Sequence, residues 1–505
     1  MKIVIIGAGI AGCAAYLELR KHLPNPSESD GDHEIIIYEA YSTDLDMTAD
    51  QRTEEHTHPS TLLVGGGLAV GPNGLNVLRR LDENLLKDVV RGGYVTAISN
   101  MKNKNGWQLA KMDTSLSPNE PDNPENMYMV ATSRHSFWQE LRSRVPDEHI
   151  INKRISEVVA RPEGRNLIYF ADGTPSVKAD LVIGADGVQS TAKRALFPDA
   201  RNPYPPRYEG LVGVGGFIPA ADVKGLVEKG SMNFIFGGNG FFGYFYADSA
   251  ESVVNRDSPY HVSEPGESLA WWSTYGIEDC PDRKTLDMGH VTRQLRERHA
   301  DWKDPVVQKI VQSLHVTNMY PTWTSPALPT WERDGVVLVG DAAHALPPSS
   351  GQGSSQALED VEAFILFLAH YLRKHGIKDT RTTPESQKEA IRVASQQYVS
   401  LRKPRVQEIS EFARKTQNTK RQMGLFQEYS MYAFMKLLGL FPSLMTSQIR
   451  KVTDYNIAEQ VAKVIATRKR QGSQAADNVL NAISLGTEQH FPDTTPGVIS
   501  PSTVL

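Results

Sequence analysis

The amino terminus constrains the fold more than any other part of this chain. An apolar run, Lys2 to Ile6, leads into the glycine series GAGIAG and then into the helical pattern CAAYLEL. This order reads as a buried parallel strand, a tight turn and a helix start. In that unit Gly7 makes the turn, Gly9 admits a pyrophosphate to the helix N-terminus, and Gly12 lets helix and strand approach closely. A second strand, Glu34 to Tyr38, delivers Glu39, whose carboxylate is placed to accept hydrogen bonds from a ribose. The interval from Gly12 to Glu39 exceeds the usual roughly 20 residues. A polar insertion, Pro24 to His33, takes up the excess as a surface loop. An acid at this position disfavours a 2′-phosphate, so FAD or NAD fits this pocket better than NADP.

Two later segments repeat the design of a strand end carrying an acid. In VVLVGDAAHALPPSSGQGSSQALED, Val336 to Asp360, an unalternating apolar strand ends at Gly340 and Asp341. Ligands of open α/β sheets bind at the carboxyl edge of the strands, where Asp341 then sits. Pro347 and Pro348 stiffen the following loop, while Gly351 and Gly353 permit positive φ or close backbone approach before a helix expected to start near Ser354 or Ser355. Such a start favours electron-rich ligand atoms. In DLVIGADGVQSTAKRAL, Asp180 to Leu196, another buried strand precedes Asp186 and Gly187; alone it reads more readily as an Asp-Gly turn than as a site.

Together these residues resemble the single-component FAD-dependent monooxygenases, the group A aromatic hydroxylases of the para-hydroxybenzoate hydroxylase fold. GAGIAG with Glu39, ADGVQS at Ala185 to Ser190, and GDAAHALPPSSGQG at Gly340 to Gly353 carry the resemblance. It implies that the first motif binds the ADP half of FAD and that Asp186 lies near the pyrophosphate. It further implies Asp341 on the ribityl chain, with Gly351, Gly353 and Ser354 in the loop bordering the isoalloxazine. LLVGGGLAVGPNGLN, Leu62 to Asn76, is similar to the family's glycine-rich turn beside the flavin, which would place Gly66 and Gly67 there. It reads equally as a tight turn ahead of a helix from Pro72 to Leu81. VATSRHSFWQEL resembles the Arg-bearing helix start that contacts FAD phosphate, making Arg134 the expected contact. His344 is a loop-structural residue in the family, and no catalytic acid or base is assigned.

The implied fold is α/β: a Rossmann-like FAD-binding domain interleaved with a smaller, mostly antiparallel β-sheet substrate domain, plus a C-terminal helical region. Composition shifts divide the chain accordingly. Residues 1–75, 127–205 and 326–375 are expected to form the FAD domain, and 76–126 with 206–325 the substrate domain. Residues 376–485 are expected to be helical and 486–505 a flexible tail. A helix is expected within Leu295 to Leu314, and SLSPNEPDNPEN reads as an exposed loop.

Charge and composition narrow the partners. A net charge of −5 without a clustered basic face gives no reason to expect nucleic acid. Two cysteines, Cys13 and Cys280, are too few for a disulfide framework and fit a cytoplasmic compartment, with Cys13 expected to be buried and structural. No metal site is expected. No run suits a spanning helix; MYAFMKLLGLFPSLM, Met431 to Met445, comes nearest and is broken by Lys436 and Pro442. Packing on the body or a partner is its first reading, and weak membrane-surface contact its second. Oligomeric state is left open.

For the substrate, Phe234, Phe236, Phe242, Tyr244 and Tyr246 recur at strand spacing and would share one side of an unbroken sheet. Core packing and pocket lining both explain such a stripe. Trp271 and Trp272 must face opposite sides within a strand, so at most one lines a pocket. In relatives resembling salicylate hydroxylases the pattern Y-x-G-x-x-x-x-R follows the domain boundary. Tyr208 and Gly210 match it here, but Gly215 stands at the Arg position.

The resemblance implies reduction of FAD by NADPH or NADH, addition of O2 to give a C4a-hydroperoxide, and oxygen transfer to a largely apolar small molecule. An aromatic or polyketide/terpenoid-like metabolite would be hydroxylated or epoxidised, chemistry typical of secondary metabolism. The reductant would dock transiently near Asp186 and Arg194. A related dehydrogenase or reductase is the alternative. A non-enzymatic flavin-fold binding protein stands further off, because it need not keep Asp341, Gly351 and Gly353.

Overall fold

Four β-strands set the frame by ending together. In the computed structural model, Lys2–Ile6 lies between Glu34–Glu39 and Leu181–Gly184, with Val336–Leu338 beyond, all parallel. Ile6 registers with Tyr38 on one side and Gly184 on the other, and Gly184 with Leu338. Gly7, Glu39, Ala185 and Val339 therefore reach a common edge. Ile3 to Ile5, Leu181 to Ile183 and Val336 to Leu338 are fully buried, as both faces of this sheet are covered. Ile150–Asn152 and the antiparallel Glu332–Arg333 complete six strands.

The structure describes residues 1–25, 32–43, 67–114, 127–282, 285–376, 383–417 and 422–470. Gly66, most of the Pro24 to His33 insertion, the SLSPNEPDNPEN segment and the 486–505 tail lie outside them. The class is the expected mixed α/β one. Helix Ile10–His22 packs on the six-stranded sheet and against the long helix Gly353–Gly376, on which Pro384–Gln417 packs in turn. Residues 1–457 form one compact unit; a second begins at Ala458 and is helical through residue 470.

A second sheet has seven strands, in the order Met319–Thr324, Arg207–Pro219, Ser268–Gly276, Gly240–Tyr246, Ser231–Gly237, Ile98–Asn103 and Gln108–Asp113. All neighbours are antiparallel except Ser231–Gly237 with Ile98–Asn103. Its outer face carries Ile235, Phe242, Tyr244, Tyr246 and Trp271 against helices Met288–His299 and Pro305–Gln312, two helices where one was expected.

The inner face carries Phe234, Phe241, Phe245 and Trp272. The expected single stripe is therefore split. Phe236 pairs directly with Phe241 across the Gly237–Gly240 turn, so the residues of odd number in one strand share a face with those of even number in the other. Phe234 and Phe236 look inward, whereas Phe242, Tyr244 and Tyr246 look outward. Of the two tryptophans only Trp272 is inward, its ring lying over Gly243, where an added Cβ would come within 2.3 Å of it.

Candidate functional site

The common strand edge assembles three of the sequence motifs. Gly7 turns with φ +98°, and a Cβ there would meet the Ala185 carbonyl oxygen at 2.6 Å. A Cβ on Gly12 would meet the Gly7 carbonyl oxygen at 1.8 Å, so neither position tolerates a side chain. At Gly9, by contrast, an added Cβ would find open space, and this residue opens helix Ile10–His22 without any side-chain cap. The amino end of a 13-residue helix thus presents its backbone donors to an open cradle.

Two carboxylates flank that cradle. Glu39 is buried and accepts hydrogen bonds from the Ala8 N–H at 2.6 Å and the Tyr41 N–H at 3.0 Å. Burial raises its carboxyl above the ordinary range, against the pull of those N–H groups, and Asp186 adds to the rise. Asp186 caps the short helix Ala192–Leu196, its Oδ2 accepting from the N–H groups of Thr191 and Ala192. Its Oδ1 is buried with no hydrogen-bond partner among the described residues. Burial raises this carboxyl too. An orphaned oxygen costs stability unless a ligand or water supplies a donor. Cys13 donates to the Ala8 carbonyl, and burial pushes its thiol up to about 12, leaving it inert and structural as expected.

Arg134 is the first residue of helix Arg134–Arg142, which Ser133 caps by accepting from the Ser136 N–H. Its side chain is exposed, and the helix is tied to the glycine turn by the Trp138 indole, whose N–H donates to the Ala8 carbonyl at 2.7 Å. Gly67 registers with Ser133, next to Arg134, and carries the Phe245 ring against its backbone.

The third motif lies on the same edge. Gly340 takes φ +59°, and the exposed Asp341 begins the short helix Asp341–His344 with no protein hydrogen bond among the described residues. The Pro347 to Gly353 loop follows, with Gly351 left-handed; the spaces beside Gly351 and Gly353 are open. Helix Gly353–Gly376 starts slightly before the expected serines, with Ser354 half-buried in its first turn. A separate cleft of about 260 Å³ is lined by Gln189, Ser190, Lys193, Arg194, Asn202, Pro206 and Trp323.

Comparison with known proteins finds similar sequences and folds. Residues 165–396 match the FAD binding domain model. The chain is 28% identical over 421 residues to 3-amino-4-hydroxybenzoate 2-monooxygenase of Streptomyces cremeus, covering 82% of this chain and 86% of that protein. It is 25% identical over 365 residues to 6-hydroxynicotinate 3-monooxygenase of Pseudomonas fluorescens, covering 71% and 80%. These similarities support a single-component FAD-dependent monooxygenase. The fold is shared with Klebsiella pneumoniae HpxO, solved with FAD and uric acid, at a TM-score of 0.64 and 19% identity over 89% of this chain and 96% of that one. It is likewise shared with a salicylate hydroxylase solved as its substrate complex, at a TM-score of 0.64 and 17% identity over 92% and 97%.

Behind the Gly340 loop, this monooxygenase carries a buried polar network that the sequence reading missed. Asp360 accepts from the Gly340 N–H at 2.9 Å and bonds His344 Nε2, while its other oxygen takes the Arg402 Nε at 2.9 Å. Arg402 is fully buried and also donates to Glu359 and to the Gln356 side chain. Asn73, in the first turn of helix Pro72–Leu81, donates to Glu359 and to Gln352 at 3.0 Å. Burial alone would raise the Asp360 carboxyl, but His344 and Arg402 outweigh it and hold it below the carboxylate range. His344 is thereby fixed against Trp331, as befits a loop-structural residue. One acidic pair clamps the Gly340 turn and the Pro/Gly loop to two other helices.

Proposed function

We propose that this monooxygenase uses NAD(P)H and O2 to hydroxylate or epoxidise a largely apolar, aromatic or polyketide/terpenoid-like metabolite. The observation that carries the substrate class is the inner sheet face of Phe234, Phe241, Phe245 and Trp272. Gly215 pairs with Trp272 on that sheet, so the position held by Arg in salicylate-type relatives offers no cation to a substrate carboxylate. Flat apolar surface suits that wall better than a charged ring.

The strand edge fits FAD: an open cradle at Gly9, an orphaned Asp186 oxygen, and an unengaged Asp341 carboxylate. In this reading Gly7, Gly9 and Gly12 admit the pyrophosphate to the helix N-terminus and Arg134 neutralises it. Glu39 accepts from the ribose hydroxyls, and Asp341 from the ribityl chain. Gly67, Gly351, Gly353 and Ser354 offer backbone to the ring system. The bound flavin supplies the redox chemistry and oxygen activation. The protein's part is to position the substrate against it and exclude water, for which the aromatic wall and the acid-free Pro347 to Gly353 loop are suited. The reductant docks near Asp186 and Arg194, beside the Lys193-lined cleft.

The test is oxidation of NADH and of NADPH by the FAD-loaded protein across a panel of phenols, aryl carboxylates and prenylated or polyketide aromatics. Stimulation by the uncharged members supports the reading. Stimulation confined to carboxylate-bearing rings contradicts it.

A further inference from the structure

The helical hairpin Leu425–Gly439 and Pro442–Thr453 is apolar on the side that faces away from the protein. Its inward side is already satisfied. Tyr432 donates to the Phe236 carbonyl at 2.9 Å, Glu428 pairs with Lys104 at 2.9 Å, and Gly439 approaches the edge strand Gln108–Asp113 so closely that a Cβ would lie 2.5 Å from the Leu109 carbonyl oxygen. These residues fall within about 40° of one another around the helix. On the opposite side stand Phe426, Phe434, Leu437 and Leu440, continued by Phe441 and Leu444 in the turn and second helix. All six are exposed, Phe426 by 86% and Leu440 by 66%. An apolar stripe on a helix belongs against a surface that covers it. Single exposed apolar residues need no explanation, but a contiguous set does.

We propose that this hairpin lies in the interfacial layer of an anionic lipid bilayer. From Tyr429 to Thr453 the sequence holds no acid, and its exposed cations are Lys451 and Lys436, the latter also donating to the Gln108 carbonyl, in a chain whose net charge is −5. Aromatic and aliphatic side chains flanked by cations suit the headgroup boundary of an anionic membrane. A second copy of the chain suits the face less well. A two-fold contact would bring these cations together with no carboxylate from the same stretch to pair them. The hairpin lies on the bilayer, for no helix among the described residues is long and apolar enough to cross it. The same helix closes one end of the aromatic wall, packing Tyr432, Met431 and Met435 near Phe236, Phe241 and Trp272.

The experiment is co-sedimentation of the full-length, FAD-loaded protein with phosphatidylcholine vesicles, with and without phosphatidylserine, at low and high salt. The protein is expected to pellet with the serine-containing vesicles and to be released by salt. Combined Phe434→Ser, Leu437→Ser and Leu444→Ser should lower the bound fraction roughly tenfold or more at unchanged flavin content. If that variant loses flavin, the exposed Lys451→Glu substitution, which leaves the apolar face intact, should still weaken the serine dependence. Protein that stays in the supernatant with both vesicles overturns the proposal. So does binding indifferent to salt and to Lys451→Glu, or a lipid-free dimer, seen by light scattering, that the triple variant disperses.

Discussion

Asp341 and Asp360 divide the work of one turn. Asp360 is buried and spends its oxygens on Gly340, His344 and Arg402. Asp341 is exposed and spends none on the protein. A carboxylate with that freedom at a strand end is available to a ligand polyol, so Asp341→Ala should release FAD while leaving the fold intact. We expect roughly a tenfold or greater loss in flavin affinity, as for removal of a charged hydrogen-bond acceptor. Flavin fluorescence on titration, with far-ultraviolet circular dichroism as the fold control, measures both. An Asp341→Ala protein that retains flavin as tightly as the parent would remove Asp341 from the site.

At the scale of elements, the buried acids make the Gly340 loop depend on a helix more than 40 residues away. Arg402, on helix Pro384–Gln417, is the cation between Glu359 and Asp360. Arg402→Met would leave two buried carboxylates short of a partner, at a cost of roughly 3–5 kcal/mol. Chemical denaturation should show that loss, and flavin affinity should fall with it because the loop is no longer held. A loss below about 1 kcal/mol would mean that Arg405, which also donates to Glu359, suffices to hold the network.

None of this network was legible in the sequence. Arg402 stands in LRKPR, which reads as a solvated helix face, and Glu359 and Asp360 read as ordinary acids early in a helix. What could be read were features whose signal is local: the buried strands, the turns at Gly7 and Gly340, and the helix Pro72–Leu81. The aromatic stripe failed for a related reason. Its alternation was visible in each strand, but the number of residues in the Gly237–Gly240 turn decides which face each strand presents.

For the whole molecule, parallel register gathers the strand-end motifs at one edge, and the seven-stranded sheet offers an aromatic face in which Trp272 is set over Gly243. That arrangement suits oxygen transfer to a flat apolar molecule held away from water. The most direct measurement follows the oxygen. With FAD-loaded enzyme, NAD(P)H and a panel substrate that stimulates its oxidation, turnover under 18O-labelled dioxygen should place one labelled oxygen atom in each product molecule. Substrate-stimulated NAD(P)H oxidation that leaves the product unlabelled would contradict the account.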